Sequence, residues 1–277
     1  MRIDAHQHFW TLARGDYGWL TPELDALYRD FSPEDLRPHL ARERIDRTVL
    51  VQAAPTLAET HHLLELARRT EFVAAVVGWV DLEDPDVALA ELAREPLLRG
   101  VRPMIQDEPD PEWMLGPSLD PALRGLAALG LRFDALVQPR HLVPLLRFVE
   151  RHPDLPVVID HGAKPDIASG AFDDWAEPLA ALARSGDVYC KLSGLITEAG
   201  PEWKPADLAP YVDHLLQVFG PARLLWGSDW PVVDLAGGHS SWCDATRVLL
   251  SGLSNEDRAQ ILGRTAARFY GIEEANE

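Results

Sequence analysis

Cysteine is scarce in this sequence. Only Cys190 and Cys243 occur among its 277 residues, and no Cys-x-x-Cys pair is present. A disulfide scaffold or a cysteine-rich zinc site needs more thiols, so both are excluded. A chain of this length can bury a substantial core without such cross-links. We therefore expect a protein of a reducing compartment, namely the cytoplasm.

Positive charge is also in short supply. Lys and Arg number 26 against 44 for Asp and Glu, which leaves a net charge of −18, and the arginines are scattered among acidic residues. A nucleic-acid binder needs a basic face that displaces counterions from phosphates, and anionic membranes attract the same kind of face. We therefore expect neither nucleic acid nor a membrane as a partner.

Long apolar runs are missing as well. The N-terminal residues MRIDAHQHFW lack the apolar stretch of a secretory signal, and no uncharged apolar run reaches the roughly 18 residues of a membrane helix. Hydrophobic residues make up 47% and charged residues 25% of the chain, which is ordinary globular composition. A small molecule is thus the expected partner, with homo-oligomer formation left open.

What the sequence does contain is an alternation of strand-like and helix-like segments. Eight apolar or β-branched runs are candidate strands: Arg2–Ala5, Thr48–Gln52, Val73–Val80, Leu98–Met104, Arg132–Gln138, Pro156–His161, Val188–Leu192 and Arg223–Gly227. Segments of helical periodicity lie between and after them: Pro33–Arg44, Thr60–Arg69, Pro121–Leu129, Leu142–His152, Asp173–Ser185, Ala206–Phe219, Trp242–Leu250 and Asn255–Tyr270.

The spacing of these strands favours a closed barrel. The strand ends recur about every 32 residues, and a βαβ unit needs about 30. A Rossmann sheet would also need a Gly-x-Gly-x-x-Gly turn, which is absent. We therefore predict an α/β fold, a (β/α)8 TIM barrel that forms a single domain over residues 1–277.

Polar side chains cluster at the carboxyl ends of the predicted strands, where barrels of this kind carry their chemistry. The eight residues at those ends are His6, Gln52, Trp79, Arg102, Gln138, His161, Lys191 and Asp229. A purely structural barrel rim has no need for this concentration of hydrogen-bonding groups, so the pattern predicts an active site at this end.

The sharpest signal is the triplet His6-Gln7-His8 at the end of the first strand. Residues i and i+2 of a strand face the same side, so both imidazoles can face one point, and paired imidazoles suit a divalent metal such as zinc. Asp4 has the same parity. Two roles are open for it, a buried hydrogen bond or the orientation of a histidine.

Two further strand ends carry groups suited to acid–base chemistry. His161 leaves a buried strand in the segment Asp160-His-Gly-Ala-Lys164, and Asp229 lies on a sharp turn before Trp230-Pro231. A carboxylate at that position can ligate a metal, act as general base toward water, or do both. We predict Asp229 and His161 as catalytic residues.

Cationic, amide and aromatic side chains complete the expected site. Lys191 suits a nucleophile, a carbonyl polariser or an anion anchor, and Arg102 can form paired hydrogen bonds with a carboxylate or sugar hydroxyls. An indole stacks on the apolar face of a sugar. The predicted substrate contacts are Arg102, Gln138, Trp19, Trp79 and Lys164, with Lys191 assigned to catalysis. Ion pairing or simple solvation is the alternative for each cation.

Four segments together resemble the amidohydrolase superfamily, specifically its lactonase branch. They are Ile3-Asp-Ala-His-Gln-His-Phe-Trp10, Asp160-His-Gly-Ala-Lys-Pro165, Lys191-Leu-Ser-Gly-Leu195 and Gly227-Ser-Asp-Trp-Pro-Val232. The resemblance extends from residue 2 to the ending Thr265-Ala-Ala-Arg-Phe-Tyr-Gly271. It implies a distorted (β/α)8 barrel with His6, His8, His161 and Asp229 in the active site and Arg102 and Lys191 as substrate contacts.

The implied activity is hydrolysis of a small lactone, a sugar aldonolactone such as L-fucono- or L-rhamnono-lactone, to the hydroxy acid. One divalent metal, zinc as first choice, would be held by His6, His8 and Asp229, and catalysis without metal is the alternative because members of the branch differ in this respect. A departure from metal-dependent members is that strands four and five end in Arg102 and Gln138 rather than histidine or lysine.

Two other functions remain open at this stage. A hydrolase of pyrone or muconolactone-type dicarboxylates, or a related decarboxylase, needs several cations, which Arg102, Lys164, Lys191 and Arg140 could supply. A ligand-binding barrel without catalysis is the second alternative. A barrel that only binds a ligand has no need for three histidines and a carboxylate together.

Overall fold

The computed structural model describes residues 1–85, 92 and 94–273. Its strands, in chain order, are β1 Ile3–Gln7, β2 Arg47–Val51, β3 Val73–Gly78, β4 Leu98–Val101, β5 Arg132–Ala135, β6 Val157–Ile159, β7 Val188–Leu192 and β8 Leu224–Trp226. Each strand pairs in parallel with the next one along the chain. The predicted (β/α)8 barrel is thereby confirmed.

Helices surround this barrel on the outside. They are α1 Pro33–Glu43, α2 Leu57–Arg68, α3 Asp120–Ala128, α4 Leu142–Arg151, α5 Asp173–Arg184, α6 Pro205–Phe219, α7 Gly238–Leu249, α8 Asn255–Ala259 and α9 Thr265–Tyr270. The predicted single domain over residues 1–277 also includes residues 86–91, 93 and 274–277, which lie outside the described part. Among the described residues, none of the helices combines the length and apolar character that a membrane span requires.

Six of the eight strands end earlier than the sequence predicts. The difference is largest for β4 and β5, which end at Val101 and Ala135, three residues before their predicted ends. The apolar residues Leu136 and Val137 remain buried there although they no longer pair as a strand. Hydrophobic residues indicate burial but not strand pairing. The predicted fifth strand therefore included residues of the loop that follows it.

The barrel closes between β1 and the loop after β8. The backbone N–H of Asp229 donates to the carbonyl of His6 at 2.8 Å, and the N–H of His8 donates to the carbonyl of Trp230 at 2.8 Å. These two bonds bring Asp229 alongside both histidines of β1. The distortion of the barrel thus lies where the predicted chemistry is.

Asp4 fixes the same closure from the outer side of β1. Its Oδ1 accepts the backbone N–H of Ser228 at 2.8 Å and that of His6 at 3.2 Å. The strand register shifts between Asp4 and Gln7, which marks an irregularity of β1 at this point. Burial raises the pKa of Asp4 to about 7. Of its two open roles, the structure shows the buried hydrogen bond.

The barrel interior is apolar at its floor. Residues of the strands pack there with α9: Ile3, Ala5, Val49, Val51, Ala75, Val77, Val158, Tyr189, Leu225, Ala266, Phe269 and Tyr270. The polar groups of the interior therefore lie above this layer, toward the carboxyl ends of the strands.

Candidate active site

A cavity of about 190 Å³ opens at the carboxyl ends of the strands. His8, Arg102, His161 and Asp229 form its polar side. Met104, Leu136 and Val232 contribute apolar surface opposite, with Trp19 and Lys164 also in the lining. The cavity is therefore small, mostly apolar and equipped with several ionisable groups, as expected for the site of a small organic substrate.

Three imidazoles converge on the carboxylate of Asp229. Its Oδ1 lies 3.7 Å from Nε2 of His6, 3.5 Å from Nε2 of His8 and 3.8 Å from Nε2 of His161. The Nε2 atoms of His6 and His8 are 3.1 Å apart. Their positions at the ends of predicted strands indicate that these four residues lie together, and the structure places them in one cluster.

The outward-facing nitrogens of two histidines are already occupied. Nδ1 of His8 donates to the carbonyl of Val51 at 2.8 Å, and Nδ1 of His161 pairs with the hydroxyl of Ser193 at 2.9 Å. A proton on Nδ1 of His8 leaves the lone pair of its Nε2 free. Nε2 of both rings is thus directed toward Asp229 and the cavity.

The local backbone conformation determines how the side chains of the cluster are directed. His161 and Asp229 adopt left-handed conformations with φ of 53° and 59°, which non-glycine residues rarely do. Gly194 makes room for His161, because a Cβ there would lie 2.6 Å from the imidazole Nδ1. A Cβ on Gly227 would likewise lie 2.7 Å from Cβ of His6. Both strand exits need glycine for the histidines to fit.

Burial sets the protonation state of the cluster. It lowers the pKa of His161 to about 4 and also lowers the pKa values of His8 and His6, the latter further reduced by Lys191. Burial alone would raise the pKa of Asp229, but the neighbouring imidazoles outweigh it and hold that pKa well below its usual range. At neutral pH the cluster is an ionised carboxylate among neutral imidazoles.

Lys191 lies beneath His6 rather than in the cavity lining. Its Nζ contacts Asp134 Oδ2 at 2.5 Å, Asp160 Oδ1 at 2.9 Å and His6 Nδ1 at 3.1 Å, and all four side chains are fully buried. Two of the three N–H groups of the ammonium are used by the two carboxylates. The two carboxylates raise the pKa of Lys191 in spite of its burial. The predicted contact of Lys191 with substrate is corrected accordingly: this lysine supports His6 from below.

Arg102 lies in the cavity wall, as the sequence predicts. Nη1 is 3.4 Å from both His6 Nε2 and Asp160 Oδ2, and Nη2 donates to the carbonyl of Gln52. The guanidinium therefore faces the histidine cluster with part of its positive charge offset by Asp160. It is a hydrogen-bond donor toward the cavity more than a free anion site.

Of the other predicted contacts, Trp19 and Lys164 lie in the cavity lining. The indole of Trp19 is fixed by its N–H, which donates to the carbonyl of Ala53 at 2.8 Å, and it meets Trp10 edge-on at 5.4 Å. Nζ of Lys164 lies 3.7 Å from Oε1 of Glu198. Lys164 is thus paired rather than simply solvated.

Gln138 and Trp79 lie outside the cavity lining, so their contact with a substrate stays a prediction. The Gln138 amide oxygen accepts from Arg140 at 3.3 Å. Trp79 lines a separate surface pocket, and its backbone is bonded on both sides to the hydroxyl of Thr60.

Sequence reasoning missed three residues that support the site. Asp134 and Asp160 flank Lys191, and Ser193 holds His161. A signal existed for Asp134, because it is a carboxylate between the apolar residues Phe133 and Ala135 of a predicted strand. Burying a lone carboxylate is costly, so its presence there could have indicated a buried cationic partner.

The donor set fits a divalent metal of zinc type. One ligand atom each from His6, His161 and Asp229 lies within 4.8 Å of the others. His8 was predicted as a ligand in place of His161. Its Nε2 lies beside the same group, 3.1 Å from that of His6 and 3.5 Å from Asp229. Neutral imidazole nitrogens and a carboxylate oxygen are ordinary zinc ligands.

Comparison with known proteins gives consistent results. The amidohydrolase family model matches residues 3–272. An L-fucono-1,5-lactonase of Burkholderia ambifaria is 50% identical, with 98% of this chain and 96% of the relative covered. A second L-fucono-1,5-lactonase, of Burkholderia multivorans, is 38% identical, with 99% and 97% covered. A crystal structure of an amidohydrolase from Burkholderia multivorans with bound zinc superposes with a TM-score of 0.94 at 37% identity, covering 99% of this chain and 100% of that one.

Replacement of Lys191 by Met should destabilise the fold. It leaves Asp134 and Asp160 without their shared cation, and breaking a buried ion pair typically costs about 3–5 kcal/mol. The free energy of unfolding in urea measures this. An Asp134→Asn/Lys191→Met double variant should recover part of the loss. An unchanged unfolding free energy for the single variant would contradict the buried charge cluster.

The stability of the protein should fall between about pH 6.5 and pH 4 in the presence of a chelator. The folded-state pKa of His161, about 4, lies below the 6.5 of the unfolded chain. The unfolded state then binds more protons in this window, so stability is full above pH 6.5 and decreases with acidification.

A His161→Asn variant should lose roughly 3 kcal/mol of this pH-dependent change in unfolding free energy. His152→Asn, which removes a partly exposed imidazole outside the cluster, serves as control. Equal slopes for His161→Asn and the parent would show that His161 is not held neutral in the fold.

Proposed function

The chain belongs to the amidohydrolase family, and from this membership we propose that it is a lactonase, a carboxylic ester hydrolase that opens a sugar aldonolactone to the hydroxy acid. The observation that carries the proposal is the ionised carboxylate of Asp229 among three neutral imidazoles in a small cavity. The relatives named L-fucono-1,5-lactonase indicate a six-membered aldonolactone as the first substrate to test.

Asp229 is the proposed general base. Its carboxylate takes a proton from the attacking water as the new bond to the lactone carbonyl carbon forms. When the ring C–O bond breaks, the same proton passes to the leaving oxygen, which becomes the free hydroxyl of the product. Asp229 is thereby regenerated as a carboxylate. Because the neighbouring imidazoles keep it ionised in spite of its burial, it is ready as a base at neutral pH.

Arg102 is placed to stabilise the developing charge, and in the protein without metal the Nε2–H of His161 is placed to do the same. Both line the cavity beside Asp229, and Nη1 of Arg102 lies within 3.4 Å of His6. N–H groups fixed toward the carbonyl oxygen favour the transition state, in which negative charge grows on that oxygen.

A zinc ion held by His6, His161 and Asp229, with His8 adjacent, would supply Lewis-acid polarisation of the carbonyl and a water of lowered pKa. Trp19 lies outside this donor set and has a separate role. Trp19 is the proposed wall for the sugar ring, because its fixed indole offers an apolar face of suitable size.

The charge of the cavity favours a neutral lactone over a dicarboxylate. Among the described residues of the lining, the cations are Arg102 and Lys164. Asp160 offsets the first and Glu198 the second, and Asp107 adds a negative charge to the lining. A pyrone dicarboxylate would bring two charges into a region without two free cations. We therefore place the dicarboxylate reaction second.

We also propose the cytoplasm as its location. Cys190 and Cys243 are both free and buried, as expected of a protein made in a reducing compartment.

The activity is tested with a panel of stereoisomeric aldonolactones that includes L-fucono-1,5-lactone, with acid release followed above the spontaneous rate. Asp229→Asn should lower kcat by about 10²–10⁴, the usual contribution of a positioned base. Asp213→Asn, which removes an exposed carboxylate of α6, should retain parent activity. If Asp229→Asn matches the parent, Asp229 is not the base, and if no lactone reacts faster than in buffer, the proposed function is wrong.

Replacement of Glu198 by Gln should make the cavity more receptive to anions. It releases Lys164 from its ion pair without a change in side-chain size. The affinity for pyridine-2,4-dicarboxylate as a competitive inhibitor should rise roughly fivefold, since a partly exposed charge at this distance contributes on the order of 1 kcal/mol. KM for the neutral lactone should change less.

Glu202→Gln is the matched control, because Glu202 is an exposed glutamate of the same loop. Inhibition constants for the three proteins decide the matter. Equal affinities for the dicarboxylate in parent and Glu198→Gln would show that Glu198 does not offset the charge of Lys164.

A further inference from the structure

The last helix of the chain reaches the interior of the barrel from below. Tyr270, at the end of α9, is fully buried, and its ring packs edge-on against Phe269 at 4.9 Å. Its hydroxyl donates to Oδ2 of Asp134 at 2.7 Å. A residue near the C-terminal end of the described chain thus makes a direct hydrogen bond to the charged cluster under the active site.

From Tyr270 an unbroken series of contacts leads to the cavity. Oδ2 of Asp134 also contacts Nζ of Lys191 at 2.5 Å, and Nζ lies 3.1 Å from Nδ1 of His6. The four side chains are all fully buried. Because no member is open to solvent, a change at one end cannot be compensated by bulk water.

Asp134 is the member most sensitive to Tyr270. Its second oxygen, Oδ1, has no hydrogen-bond donor among the described residues, so Oδ2 holds both of its partners. Two donors on one oxygen fix the direction of the carboxylate. With the phenol hydroxyl removed, Lys191 would be the remaining partner, and nothing else would keep the carboxylate in its present orientation.

The position of Lys191 bears directly on His6. Nδ1 of His6 has two neighbours, Lys191 at 3.1 Å and Asp160 Oδ1 at 3.5 Å. The opposite nitrogen, Nε2, is the atom that faces His8 and Asp229. A displacement of the ammonium toward Asp134 therefore turns or loosens the imidazole whose other side belongs to the reaction site.

We propose that Tyr270 is a positioning residue for His6 and acts through Asp134 and Lys191. The inference rests on the proposed lactonase function, since it assigns Tyr270 a part in that reaction. Tyr270 does not line the cavity, so its contribution is to the orientation of a group that acts there and not to the binding of substrate.

The first test is Tyr270→Phe, which keeps the ring and its packing and removes one hydroxyl. We expect kcat to fall about tenfold, within the range typical of groups that orient active-site histidines, while KM changes less than twofold. Tyr211→Phe is the matched control, because its hydroxyl donates to the carbonyl of Ala171 at 3.0 Å outside the site. It should lose a similar amount of stability and keep the parent kcat.

The second test does not depend on turnover. The ¹⁵N resonances of the His6 imidazole, measured in chelator-treated protein, should shift in Tyr270→Phe and remain in place in Tyr211→Phe. Should the parent hydrolyse no lactone, this measurement still decides the inference, because it reports on His6 directly. Parent-like kcat together with unshifted His6 resonances in a folded Tyr270→Phe protein would overturn it, as would equal kcat losses in the two tyrosine variants.

Discussion

The site depends on how the barrel closes. The loop after β8 meets β1 through single backbone bonds, Asp229 to His6 and Trp230 to His8, in place of a regular ladder. Those bonds place a carboxylate from the end of the barrel sequence beside two histidines from its beginning. In a fully regular eighth strand, the backbone groups of Asp229 and Trp230 would be paired in the ladder. Asp229 would then not turn toward the imidazoles.

The second constraint is the cost of burying charge. Asp134, Asp160 and Lys191 sit inside the barrel, where isolated ions would be strongly unfavourable. They are tolerated because the ammonium has two carboxylate partners and each carboxylate has a cationic neighbour. One net negative charge remains among these three groups, and Arg102 stands next to it. The cluster therefore serves as a rigid support for His6, whereas the groups that meet substrate lie one level higher.

Much of this could be predicted from the sequence, and for identifiable reasons. Barrel strands recur at a fixed spacing and end on the same side, so His6, His161 and Asp229 could be assigned to one site without coordinates. Lys191 and Gln138 followed the same rule but lie outside the cavity lining. Strand position alone does not say how deep a long side chain lies, nor where a strand ends. The register shift between Asp4 and Gln7 has no sequence signature either.

The floor of the barrel is connected to its mouth through Tyr270. Tyr270, at the end of α9, packs in the floor with small residues of the strands, and its hydroxyl donates from there to Asp134. An apolar side chain there would fill the volume equally well but would leave a carboxylate oxygen with the ammonium alone. The choice of tyrosine is therefore better explained by the charge cluster above it than by the core around it, and this connects the last helix to the orientation of His6.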